Sequence, residues 1–164
     1  MPITLLDRKP NYILRCIVTG DESVGKTSFC SVIAADEFHT TYQPTIGIDF
    51  FVKEYTIPQC SASLKIWDTS GKERFQTIVD SYYYGCAIAI VMYDITNRLS
   101  FENARNWIQR ARKYCPDIVI VLVGNKIDSE LSREVKTIDG ELLAKEENIL
   151  FKEVSTKTKA NIDS

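Results

Sequence analysis

The stretch Gly20-Asp21-Glu22-Ser23-Val24-Gly25-Lys26-Thr27 places two glycines around four residues and follows them with a lysine and a hydroxyl. This is the pattern G-x-x-x-x-G-K-[ST]. Glycines let the main chain curl so that several N–H groups converge on phosphate oxygens, and the start of a helix adds positive potential. Lys26 then reaches the outer phosphates and the Thr27 hydroxyl suits Mg²⁺. Alone, the loop names a nucleoside triphosphate without naming its base or the reaction.

Three further clusters sharpen that chemistry. Asp68-Thr69-Ser70-Gly71 offers a carboxylate that can hold Mg²⁺, through water because Mg²⁺ dehydrates reluctantly, and a glycine N–H that can approach a terminal phosphate. Thr45, in Gln43-Pro44-Thr45-Ile46-Gly47, offers a hydroxyl that could complete the metal's shell. Asn125-Lys126-Ile127-Asp128 ends in a carboxylate, which accepts two parallel hydrogen bonds. Guanine presents two adjacent donors and adenine does not, so a site built around Asp128 discriminates strongly between them. Lys126 can lay its stem over the base, Asn125 can tie this loop to the phosphate loop, and a main-chain N–H in Ser155-Thr156-Lys157 can meet the guanine O6.

These residues need elements to carry them. Residues 12–19 read as a strand that feeds the glycine loop, and 26–35 as a helix leaving it. Residues 49–57 and 62–68 read as a hairpin about Pro58-Gln59. The runs 86–93 and 118–123 are continuously apolar, as central parallel strands buried on both faces require. Between them, 100–114 carries Phe101, Ala104, Trp107, Ile108 and Ala111 at helical spacing, with Ser100 as an expected N-cap. A helix over 139–148 and a strand over 150–154 complete the pattern. Alternating strands and helices predict a doubly wound α/β sheet, whose ligands sit beyond the carboxyl ends of the strands. Every cluster above falls at such an end.

Composition narrows the class. The 164 residues suit one domain over 1–164; 45% are apolar and 26% charged, so the core needs no disulfide staples. A net charge of −2 argues against a nucleic-acid partner. The longest apolar runs fall far short of the ~18 residues of a membrane span. The first ten residues have no signal-peptide core, and Pro2 excludes N-myristoylation. The five cysteines, Cys16, Cys30, Cys60, Cys86 and Cys115, are odd in number and form no C-x-x-C, which predicts reduced thiols in a cytoplasmic setting. His39, the one histidine, carries no inference.

Together the motifs resemble the Ras superfamily of small GTPases, and the Rab branch in particular. The Rab-like segments are Ile46-Gly47-Ile48-Asp49-Phe50, Lys65-Ile66-Trp67-Asp68-Thr69, Tyr82-Tyr83, Tyr93-Asp94-Ile95-Thr96 and Asn106-Trp107-Ile108. The resemblance implies the P-loop small-GTPase fold, a mostly parallel six-stranded sheet with helices on both faces. It implies GTP/GDP and Mg²⁺ as ligands. Nucleotide contacts are expected from Glu22, Ser23, Val24, Gly25, Lys26, Thr27 and Ser28, from Phe38, Tyr42, Thr45 and Gly71, and from Asn125, Lys126, Asp128, Ser155, Thr156 and Lys157. Metal ligation falls to Thr27, Thr45 and Asp68, and Thr45, Gly71 and Lys72 border the reacting phosphate. Effector, exchange-factor and GTPase-activating proteins are expected at the switch segments around Thr45 and over 72–82. Phe50, Trp67 and Tyr82 match the aromatic triad that Rab effectors contact. Strand alternation agrees, since Leu64 and Ile66 share one face and Trp67 takes the other with Lys65, pointing away from the apolar side.

The chain departs from that resemblance at several positions. Rab proteins carry Gln where Lys72 stands, Ala where Ser70 stands, commonly Arg at Tyr84, and a small residue at Glu22. The Gln orients the attacking water, whereas protonated Lys has three donors and no acceptor. Glu22 crowds and repels the terminal phosphate. An ion pair between Glu22 and Lys72 would let the two departures compensate, and slow intrinsic hydrolysis is expected. Rab proteins also continue into a last helix and a prenylated tail, so truncation, one uncovered sheet face and membrane attachment only through that tail are the matching expectations. Full-length chains would then act at the cytosolic face of membranes. A docking module that hardly hydrolyses GTP is the alternative; a P-loop kinase or ATPase conflicts with Asn125–Asp128.

Overall fold

The computed structural model describes residues 11–41, 45–56, 58–72 and 75–162. Six strands, β1 (Asn11–Gly20), β2 (Ile48–Thr56), β3 (Ser61–Thr69), β4 (Ile88–Asp94), β5 (Val119–Asn125) and β6 (Leu150–Glu153), form one sheet in the order β2-β3-β1-β4-β5-β6. Only β2 and β3 run antiparallel; the other neighbours are parallel. Among the described residues, four α-helices connect them, α1 (Lys26–Ala35), α2 (Gln76–Tyr83), α3 (Arg98–Tyr114) and α4 (Thr137–Glu147), with a 3-10 helix over Ile127–Ser132. The chain turns to opposite sides of β1, with β3 on one side and β4 on the other, so the crevice beyond the carboxyl end of β1 is where a ligand is held in such sheets.

Apolar material covers both faces. Cys16, Ile17 and Val18 are consecutive and fully buried, and they alternate between two cores. Ile17 packs with Val91, Tyr93 and Leu122 beneath α2, α3 and α4, while Cys16 and Val18 pack with Ile66, Met92 and Val123 beneath Phe29 and Cys30 of α1. Apolar side chains on both faces of β4 are why 88–93 reads as an uninterrupted apolar run, although Ile88 and Ile90, on the side of α1, are only partly buried. Trp67 therefore does not leave the apolar side. It rests half-buried against the first core, while Leu64 and Ile66 meet the second.

Several boundaries differ from expectation. The strand expected from Cys86 begins at Ile88, because Cys86 closes the preceding turn through its N–H to the Tyr83 carbonyl at 3.1 Å. Ser100 is not the N-cap of α3. The helix starts at Arg98, and Asn97 caps it by accepting from the Ser100 N–H at 3.2 Å. Helix α2 has eight residues and buries only Val79 and Tyr83, too few positions for a periodicity to declare itself. The Tyr83 hydroxyl donates to the Thr19 hydroxyl at 3.0 Å, fastening α2 to the end of β1. Among the described residues, no helix is long and apolar enough to cross a membrane.

Candidate nucleotide and metal site

The loop from Gly20 to Gly25 bridges β1 and α1 and takes backbone angles that side chains resist, with φ of 141° at Gly20 and 101° at Gly25. A Cβ at Gly20 would lie 2.2 Å from the Met92 carbonyl oxygen, and one at Gly25 would lie 2.2 Å from the Asn125 amide nitrogen. Both glycines are thus required by space as well as by backbone angle. Lys26 is buried and donates to the carbonyls of Gly20 at 2.9 Å and Asp21 at 2.6 Å. Burial pulls its ammonium down to about 8, against the opposing pull of Asp68 and Asp21.

Oxygens from three separate segments meet beside this loop. The Thr27 hydroxyl donates to Asp68 Oδ2 at 2.6 Å and lies 2.7 Å from the Thr45 hydroxyl, which reaches the same carboxylate oxygen at 3.5 Å. Asp68 is fully buried, and its Oδ1 has no hydrogen-bond partner among the described residues. Burial raises its carboxyl to about 6, even though the Thr27 hydroxyl and Lys26 favour the charged form. A buried carboxylate oxygen without a partner is costly. Two hydroxyls and a carboxylate are hard donors, which suits Mg²⁺ rather than a softer metal. The residues present fit that ion.

Behind β3 the chain comes back onto the loop. A Cβ at Gly71 would lie 2.3 Å from the Glu22 nitrogen and 2.5 Å from the Asp21 carbonyl carbon. One residue on, Lys72 Nζ lies 3.3 Å from Glu22 Oε1. The ion pair expected from the two departures is formed in this structure. Both side chains are partly exposed, so water screens the pair and it adds little to the stability of the fold.

At the other end of the cleft, Asn125 is fully buried and ties three loops. Its amide donates to the Val24 carbonyl at 2.9 Å, and its oxygen accepts from the Thr156 N–H at 3.2 Å. Lys126 donates to the Ser23 carbonyl at 2.9 Å and pairs with Asp94 at 2.5 Å. Asp128 is exposed to the cleft, and Ser155 steadies it with a hydroxyl at 2.5 Å. The cleft encloses about 770 Å³, within the range of small-molecule sites.

Of the expected residues, Glu22, Ser23, Gly25, Lys26, Thr27 and Ser28 line this cleft, as do Phe38, Thr45, Gly71, Lys72, Lys126, Asp128, Thr156 and Lys157. Val24, Asp68, Asn125 and Ser155 support it from behind through the bonds described. Tyr42 lies outside the described residues. His39, Thr40 and Thr41 also line the cleft, next to Phe38; nothing in their types signalled it, and only their place beside Phe38 hinted at it. The pairing of Asp94 with Lys126 was not legible, because Asp94 stands 32 residues away in sequence and meets Lys126 only where β4 and β5 end together.

The sequence pattern of the Ras family matches residues 15–164. The chain belongs to the Ras family. It is 39% identical over 158 residues to Ras-related protein RABA6b of Arabidopsis thaliana, across 96% of this chain and 69% of that protein. Ras-related protein RABA6a of the same plant is 38% identical over 154 residues, 93% of this chain and 66% of its own length. Ras-related protein Rab-8A of Gallus gallus is 39% identical over 155 residues, 94% and 75% respectively. The chain is a Rab-type small GTPase, and Ras-family proteins bind GTP and GDP with Mg²⁺ and engage regulators and effectors. The six-stranded, mostly parallel sheet with its helices is consistent with the P-loop small-GTPase fold.

Proposed function

We propose that this chain is a GTP/GDP switch in membrane traffic whose intrinsic hydrolysis is slow. The observation that carries the switch is the meeting of Thr27, Thr45 and Asp68 at 2.6, 2.7 and 3.5 Å. Thr27 opens α1, Thr45 precedes β2, and Asp68 lies near the end of β3. Thr27, Thr45 and Asp68 would hold Mg²⁺, which would supply positive charge against the phosphates of a bound nucleotide. Thr45 and the Gly71 N–H then stand where a terminal phosphate is sensed, so the segments carrying them differ between GTP and GDP states. Partners that favour one arrangement read the bound nucleotide.

The partner surface is the aromatic row of Phe50, Trp67 and Tyr82. Phe50 and Trp67 meet edge-on with ring centres 5.1 Å apart, Trp67 and Tyr82 lie 6.5 Å apart, and the Arg15 guanidinium sits 4.6 Å from the Trp67 ring. Phe50 is 53% exposed on the edge strand β2, which makes it the accessible end of the row. Full-length protein acts, on this reading, at the cytosolic face of a membrane.

Slow hydrolysis follows from Lys72. It has no lone pair with which to orient a water while protonated, and its contact with Glu22 draws it toward the phosphate loop. Attraction to a phosphate that is equal in ground and transition states does not raise kcat. Single-turnover hydrolysis with Mg²⁺ is expected at or below ~10⁻⁴ s⁻¹, the slow intrinsic scale of such proteins; a rate tenfold higher overturns this. The same Lys72–Glu22 contact also favours a second reading, a nucleotide-dependent docking module with essentially no hydrolysis. Turnover under a saturating GTPase-activating protein separates the two.

A further inference from the structure

Asp21 follows Gly20 in the phosphate loop, yet its side chain turns to α3. Both carboxylate oxygens are engaged there: Trp107 Nε1 donates to Oδ1 at 2.7 Å and Asn103 Nδ2 donates to Oδ2 at 2.7 Å. Asn103 and Trp107 are four residues apart and so share one face of the helix. Trp107 is itself buried against the core, which fixes its N–H in place. Beyond it, Arg110 binds Gln76 at 2.8 Å and both oxygens of Asp80, joining α3 to α2. Asp21, Asn103, Trp107, Gln76 and Arg110 line a second cavity of about 350 Å³ that shares Glu22 and Gly71 with the nucleotide cleft.

The main chain of the same residue faces the chemistry. The Asp21 carbonyl accepts from Lys26 at 2.6 Å. The Asp21–Glu22 peptide is also the surface against which Gly71 rests, and Glu22 carries the contact to Lys72. One peptide unit therefore sets where a lysine, a glycine N–H and an ion pair stand.

We propose that Asn103 and Trp107 are positioning residues for phosphate binding: by holding the Asp21 carboxylate they fix the Asp21–Glu22 peptide, and with it Lys26 and Gly71. The proposal rests on the reading of the cleft as a guanine-nucleotide site. It confines their effect to the outer phosphates, because the groups that face the base, Asp128 and Lys126, are tied to Ser155, Asp94 and Ser23 instead.

The hydrogen-bond pattern supplies the test. Two acceptors on Asp21 meet two donors on α3. Asn103→Asp sets a carboxylate against a carboxylate, whereas Asp21→Asn alone keeps a neutral pair, because the Asn103 amide can turn its oxygen to the new donor. Made together, the two substitutions reverse one bond and restore complementarity at unchanged net charge. Calorimetry of full-length protein should show GDP affinity falling about tenfold in Asn103→Asp and in Trp107→Phe, as expected for one bond to a charged group, and less in Asp21→Asn. The double variant should recover most of the loss. GMP, which lacks the outer phosphates, should bind all variants as it binds the starting protein. Equal weakening of GMP and GDP, no recovery in the double variant, or unchanged GDP affinity would each overturn the proposal. A starting protein that does not prefer GDP to ADP would overturn the guanine reading with it, whereas preference for GDP with unaffected variants removes the positioning role alone.

Discussion

Lys72 presents donors alone beside the phosphate loop, and Glu22 lies 3.3 Å away. Restoring an acceptor at that position should therefore matter more than removing charge. Lys72→Gln is expected to raise single-turnover GTP hydrolysis, whereas Lys72→Met, equally uncharged but unable to orient water, should not. Comparable rates in the two variants would show that charge, and not the missing acceptor, limits turnover. At Gly25 both backbone angle and space forbid a side chain, since φ is 101° and a Cβ would lie 2.2 Å from the Asn125 amide. Gly25→Ala should lower the melting temperature and abolish measurable GDP binding, because the residue that moves is the one joining three loops. The spacing of Gly20, Gly25, Lys26 and Thr27 made this loop legible in advance. The clamp on Asp21 was not legible, because Asn103 and Trp107 look like ordinary positions of an amphipathic helix until α3 is placed against β1.

Helices α2 and α3 are joined by charge as well as by apolar contact. Arg110 holds Asp80 at 2.5 and 2.9 Å, and the Tyr114 hydroxyl adds a third bond at 2.8 Å. Burial alone would raise the Asp80 carboxyl, but the bonds from Arg110 and Tyr114 outweigh it and hold the group below its usual range. A depressed carboxyl contributes stability above its unfolded value of about 3.9 and loses it as pH falls through the lower folded value. Asp80→Asn is thus expected to cost about 1–2 kcal/mol at neutral pH. In thermal melts, the gap between variant and parent should stay constant from pH 7 to 5 and close below about pH 4; a gap that widens in acid would contradict this assignment. Helix α2 escaped the sequence reading because its eight residues owe their place to Tyr83, Asp80 and Gln76 meeting other elements, and propensity within the segment says little about that.

For the molecule as a whole, burial decides which groups can react. Burial pushes the thiols of Cys16 and Cys30 far above their usual range and that of Cys86 to about 11. A thiol reagent at pH 8 should modify Cys60 and Cys115, which are partly accessible, and reach the other three only after unfolding. Because Thr27, Thr45 and Asp68 come from three segments, chelating Mg²⁺ should speed GDP release, and Asp68→Ala should make release insensitive to the chelator. Sequence alone determined the motifs, the alternation of strands and helices, and the opposed charges at Glu22 and Lys72, because each is written in residue type and short spacing. Only the tertiary structure decided that Lys126 meets Asp94, that Asp21 is held from α3, and that Trp67 rests on a core rather than beside one. Those contacts join residues 32 to 86 positions apart or depend on which side of the sheet is covered, and nothing local to either partner encodes them.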